Sequence, residues 1–133
     1  MTRERSVDRF RAVDYLKRSE ECRHAMDRSF EAEEWTGCVI NAIHSSIAAA
    51  DALCVFKLGL RHAGERHDDA ISLFLKIDQS DEAIKKNADH LLSLLKIKTD
   101  AEYSEKLMDR KDAELSIKHA ERLLDFVKSK MRV

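Results

Sequence analysis

No proline occurs in this chain, and its 133 residues include only three glycines, at 37, 59 and 64. Proline-free, glycine-poor sequences lack the residues that break helices, and nothing here reads as a linker, a repeat or a low-complexity tract. Cysteine is also scarce: Cys22, Cys38 and Cys54 are odd in number and form no CxxC pair. On one helix, Cys38 and Cys54 would lie roughly 24 Å apart, far beyond disulfide reach. They read as buried, reduced thiols of a cytoplasmic protein. Aromatic residues number eight, too few to build an exposed stacking platform for bases, so Trp35 reads as a packing anchor. The formal charge is −1, which excludes a global basic field for drawing in nucleic acid. Any such role must rest on a local patch. The start, Met1-Thr2-Arg3-Glu4-Arg5-Ser6, is charged rather than apolar, and no segment is expected to span a bilayer, so no membrane association is expected.

What the chain does have is charge, at 37%, together with abundant alanine and leucine. That combination predicts an all-α protein, one domain over residues 1–133, folded as a compact up-and-down bundle of about five helices. The first helix is predicted from about Ser6 to Glu33, with Ala12, Tyr15, Leu16, Ser19, Cys22, Met26 and Phe30 on its inner face. Its basic residues alternate with acids and form a solvated face. The second, about Trp35 to His62, is apolar almost all round, the signature of a central helix or one shared with a second subunit. Its one polar stripe holds Asn41, His44, Ser45 and Asp51, with His44 and Asp51 expected to line one groove. A short helix is predicted over about Asp68 to Ile77, and a fourth over about Asp81 to Lys98 with Ser80 as its cap. Thr99 and Glu102 read as the capping box of a last helix, about Asp100 to Met131, whose core face would include Tyr103 and Leu107.

The chemistry concentrates in Leu58–His67, which holds two of the three glycines beside Arg61, His62, Arg66 and His67. Arginine holds phosphate in a planar fork, and imidazole moves protons near neutral pH. Together these suggest phosphodiester cleavage. A plainer reading has Arg61 and His62 stabilising a helix C-terminus by about 0.3–1 kcal/mol, with Gly64 ending that helix. With Lys57 added, Arg61, Arg66, His62 and His67 make the best local phosphate patch, and Asn41 and His44 are further candidates for contact with RNA. No HxxxH lies on a continuous helix, so neither a metal nor another cofactor is expected.

The order of these parts resembles the HEPN domain family, over roughly Val7 to Met131. The resemblance rests on the small-residue helix Asn41–Leu53, then Gly59-Leu60-Arg61-His62, His67, the apolar 70–74 segment and Lys98-Thr99-Asp100-Ala101-Glu102-Tyr103 before a long helix. Many members carry an Arg, a polar residue and then a His, with four to six residues between the Arg and the His. Arg61, His62 and His67 match, with five residues between the outer pair. The resemblance implies a helical homodimer and a metal-independent ribonuclease with a composite site across the dimer interface. Arg61 would stabilise the phosphate, His67 would transfer protons, and His62 or the second subunit would complete the acid/base pair. It equally covers non-catalytic binding and scaffold members, whose ligand is a protein or a nucleotide. Toxin members imply an antitoxin-like or nucleotidyltransferase partner that modifies a Tyr two residues past the His. Here that position is Asp69, which has no hydroxyl to modify.

Overall fold

The most apolar stretch of the sequence becomes the centre of the fold. In a computed structural model that describes residues 3–64 and 66–132, the helix Trp35–Leu58 (α2) is packed on several sides by other helices. It buries Val39, Ile43, Leu53 and Val55 fully. Ala12–Glu31 (α1) runs antiparallel to it, and Glu82–Tyr103 (α4) and Arg110–Met131 (α5) complete an up-and-down four-helix core. The short helix His67–Leu75 (α3) packs against α4 and buries Leu73 and Phe74. By length and composition α2 could cross a membrane, contrary to the expectation for every segment, but 67% of its apolar window is buried by its own bundle.

Small and polar residues set the close α1–α2 contact. Ser19 Oγ donates to the Ser45 carbonyl at 2.6 Å, and Ser45 Oγ donates back to the Ser19 carbonyl at 2.9 Å. Both side chains are buried, so each hydroxyl finds its partner on the facing helix rather than in water. Beside this contact, Arg23 pairs with Glu121 at 2.9 Å and Lys128 with Glu20 at 2.9 Å, which ties α1 to α5.

Three expected boundaries are corrected. The first helix does not begin at Ser6: residues Glu4–Ser6 form a strand (β1), and a 3-10 turn at Arg9–Arg11 leads into α1. The second helix does not reach His62. Gly59 ends it in the left-handed conformation (φ 67°), where its N–H bonds the Val55 carbonyl at 2.9 Å, and Leu60–His62 form a second strand (β2). The two strands pair antiparallel, with Glu4 opposite His62, Arg5 opposite Arg61 and Ser6 opposite Leu60. That pairing takes up the backbone of Ser6, the expected start of the first helix.

The third correction concerns the last helix. Thr99 and Asp100 lie inside α4, which continues to Tyr103 because Ala101 is buried and no glycine or proline intervenes. The capping box is Asp109 with Asp112: Asp109 Oδ1 accepts from Asp112 N at 2.9 Å, and Asp112 Oδ2 accepts from Asp109 N at 3.0 Å. Tyr103 and Leu107 therefore flank a connection and are exposed, at 79% and 77%, instead of lining the core. The cap of α4 is Asp81, one residue past Ser80, accepting from Ala83 N at 2.8 Å.

Candidate functional site

The turn away from α2 at Gly59 lifts Arg61 and His62 off the helix end and sets them on a strand beside it. Arg61 and His62 thus lie beyond the helix C-cap, and the basic residue of the last turn is Lys57. Between β2, α2, α3 and α4 lies a cavity of about 530 Å³, within the range of ligand pockets. Arg61, His62 and His67 all line it. Its α2 wall is Ile47, Ala50, Asp51 and Cys54, spaced as one helix face. Leu73, Leu91 and Leu95 make an apolar floor, and Lys98, Thr99 and Tyr103 of α4 close the rim.

Arg61 is held loosely. Its Nη1 lies 3.9 Å from Asp51 Oδ2, beyond hydrogen-bond distance, and its guanidinium sits 5.9 Å from the centre of the Tyr15 ring. Its Nε is buried and has no hydrogen-bond partner among the described residues, and the same is true of His62 Nε2. Burial pushes the Asp51 carboxyl up to about 7, against the pull of Arg61 and Arg18. Burial also lowers the His62 pKa. Asp69 opposes that shift, while Arg61 and His67 add to it, so the imidazole is neutral at physiological pH. Burial, with Asp51 and Glu4 adding to it, raises the Cys54 thiol far above its ordinary range, which removes it as a nucleophile.

His67 is the first residue of α3, one position after Arg66. Gly64 allows the close approach of neighbouring side chains: a Cβ there would stand 3.1 Å from Arg3 Cβ and 3.4 Å from His62 Nε2. Among the described residues no group of three or more His, Cys, Asp and Glu side chains converges as a metal site.

Four expected site residues lie elsewhere. Lys57 rests its ammonium 5.4 Å from the Phe56 ring centre and does not line the cavity. Arg66 is largely exposed, 3.9 Å from Asp68, and is also outside it. Asn41 donates to the Gly37 carbonyl at 2.9 Å, one turn back along its own helix. His44 shares a helix face with Asp51 but not a groove. It lies about 10 Å along the axis, and α4 closes that end with Glu102, 3.3 Å from His44 Nε2.

Asp51, expected to line a groove with His44, instead lines this cavity with Arg61, and Lys98, Thr99 and Tyr103 were not expected at the site. Asp51 carried a signal, as a lone acid among the apolar and small residues that end α2. The α4 residues figured only in the chain order behind the family resemblance, because their arrival at the cavity depends on how far that helix extends.

The HEPN domain family model matches residues 12–130, from the start of α1 to the last turn of α5, leaving β1 outside the matched span. No curated protein matches the chain.

Proposed function

This chain belongs to the HEPN domain family, and from that premise we propose a metal-independent endoribonuclease, cytoplasmic and homodimeric, that acts on single-stranded RNA through Arg61, His62 and His67. One observation carries the reading. Arg61 Nε and His62 Nε2 are buried without a partner among the described residues, on side chains that line one cavity with His67. An unpaired buried polar atom costs about 1–3 kcal/mol, which a phosphate oxygen bound at Arg61 would recover.

The chemistry suited to these groups is transfer within the RNA chain. The 2′-oxygen bonds to the adjacent phosphorus, and the bond from phosphorus to the 5′-oxygen breaks. One imidazole takes the 2′-hydroxyl proton and another gives a proton to the departing 5′-oxygen, leaving a cyclic phosphate and a 5′-hydroxyl. His62, neutral in its buried position, suits the accepting role. His67, which lines the same cavity, takes the donating one. Arg61 stabilises the charge that gathers on the nonbridging oxygens. In the proposed dimer each copy's Arg61 and His67 face a common cleft.

Single-stranded RNA incubated with the dimeric protein in excess chelator should yield cyclic-phosphate ends, and His67→Ala should slow this by about 100-fold or more. RNA left intact at several pH values by a folded dimer would overturn catalysis. The apolar floor of Leu73, Leu91 and Leu95 supports a second reading, a non-catalytic holder of a protein or nucleotide ligand. Binding that is lost in Arg61→Ala but never leads to cleavage would favour it.

A further inference from the structure

We propose that residues 3–9 form a phosphate-tracking strip, in which Arg3, Arg5 and Arg9 grip successive phosphates of a single-stranded RNA whose cleaved bond sits at Arg61. The proposal rests on the RNA reading of the cavity. It draws on a part of the chain that precedes the family match, the strand β1 and the turn after it.

The register of the ribbon is the first support. Arg5 stands directly opposite Arg61, and directly opposed residues of an antiparallel pair project from the same face. Two cations placed this way repel each other unless an anion lies between them. Arg61 has Asp51 at 3.9 Å, whereas Arg3, Arg5 and Arg9 are exposed and in no ion pair among the described residues. The acid between the first two, Glu4, is already neutralised by Lys76 at 3.2 Å.

The glycines are the second support. Gly59 and Gly64 bracket β2, and an arginine stem crosses each of them. A Cβ at Gly64 would meet Arg3 Cβ at 3.1 Å, and one at Gly59 would meet Arg9 Nε at 3.5 Å. Bare backbone at Gly64 lets Arg3 lie close beside the strand that carries Arg61, while Arg9 rests in ordinary contact over Gly59. The Ala63 N–H bonds the Arg3 carbonyl at 3.1 Å, and the Val7 N–H bonds the Gly59 carbonyl at 2.9 Å, so the ribbon is anchored at both ends. Arg3 and Arg5 are two strand positions apart, about 6.7 Å, comparable to the separation of neighbouring phosphates on an extended single strand. Residues 3–11 carry four arginines against Glu4 and Asp8, which supplies locally the basic field that a chain of net charge −1 lacks overall. A linear array that leads to a recessed arginine and two histidines fits a polyphosphodiester better than a folded acidic protein.

The test is fluorescence anisotropy with a short 2′-O-methyl oligouridylate, which cannot be cut, over a range of KCl concentrations. The variant R3Q/R5Q/R9Q should weaken binding about ten-fold or more at low salt. It should also flatten the slope of log K against log salt by about 2, from three lost contacts at about 0.7 each. A wild-type slope in that variant, with binding still abolished by Arg61→Ala, overturns the strip and leaves the cavity reading standing. Binding that depends on the strip without any RNA cleavage overturns catalysis and leaves the strip standing. Failure of the wild-type protein to bind the oligonucleotide overturns both. Equal binding of polyglutamate, with the same arginine dependence, overturns the assignment to RNA. If the triple variant loses helicity, Arg5→Gln alone is read instead. It should flatten the slope by about 0.7, and an unchanged slope overturns the proposal.

Discussion

The Asp51 carboxylate faces the Arg61 guanidinium at 3.9 Å inside the cavity, close enough for charge attraction and too far for a hydrogen bond. Burial opposes ionisation of Asp51, while the two nearby arginines favour it. The outcome is a carboxyl that gains and loses its proton near neutral pH. When it is neutral, Arg61 keeps its full charge for an incoming anion. When it is ionised, part of that charge is already spent.

Asp51 therefore makes stability depend on pH. Its pKa rises from 3.8 to about 7 on folding. Between those values the native protein holds a proton that the unfolded chain has lost, so stability falls as pH rises from about 4 to about 7 and then levels. At about 1.4 kcal/mol per unit, the total is of order 1–4 kcal/mol. Asp51→Asn should remove this decline. Urea denaturation across that range checks it, and an unchanged profile would sink the assignment.

A second pair works in the opposite direction. His90 of α4 and His119 of α5 join Nδ1 to Nδ1 at 2.8 Å. Burial lowers both pKa values below 6.5. His119, Arg122 and Lys86 add to the shift at His90, partly offset by Asp89, and Lys118 and Arg122 add to it at His119. The unfolded chain then takes up protons first on acidification, so this contribution is present above pH 6.5 and lost as pH falls through it. His119→Gln should reduce the acid loss of thermal midpoint, measured by circular dichroism. Equal losses in variant and wild type would refute it.

Gly59 is required by backbone conformation. Its φ of 67° is strained for a residue with a side chain, while a Cβ would find ordinary contacts at 3.5 and 3.6 Å. Gly59→Ala should cost about 1–2 kcal/mol through that conformation, read as a lower denaturant midpoint with an unchanged m-value. A neutral result would mean the chain can leave α2 by another route.

Ser19 and Ser45 predict coupling between α1 and α2. Each hydroxyl has one proton and gives it to the other residue's carbonyl, so the 3.1 Å approach of the two oxygens is a consequence of the reciprocal pair. Ser19→Ala should destabilise by about 1–2 kcal/mol. A double-mutant cycle with Ser45→Ala should give a non-zero interaction energy. Strict additivity would show that the two bonds act independently.

Much of the fold was legible because helical burial is periodic. The all-round apolar character of α2 marked it as the central helix, and the Ala113–Met131 stripe marked α5. Boundaries failed where the deciding partner was distant. Ser6 looked helical until Leu60 arrived to pair with it. Thr99 looked like a cap until Ala101, two residues on, was buried in the core. At the site, Arg61, His62 and His67 stood out by residue type and closeness in sequence. Lys98 and Tyr103 did not, because they reach the rim only through the length of α4.

The sequence by itself determined the family, the helical class and the cluster of phosphate-handling side chains, since each follows from residue type at short range. The tertiary structure alone decided that Arg61 and His62 leave the helix, that Asp51 faces Arg61, and that Arg5 stands across from it. The reason is physical. Hydrogen-bond pairing between strands and burial of a carboxylate depend on segments tens of residues apart, and local periodicity carries no record of them.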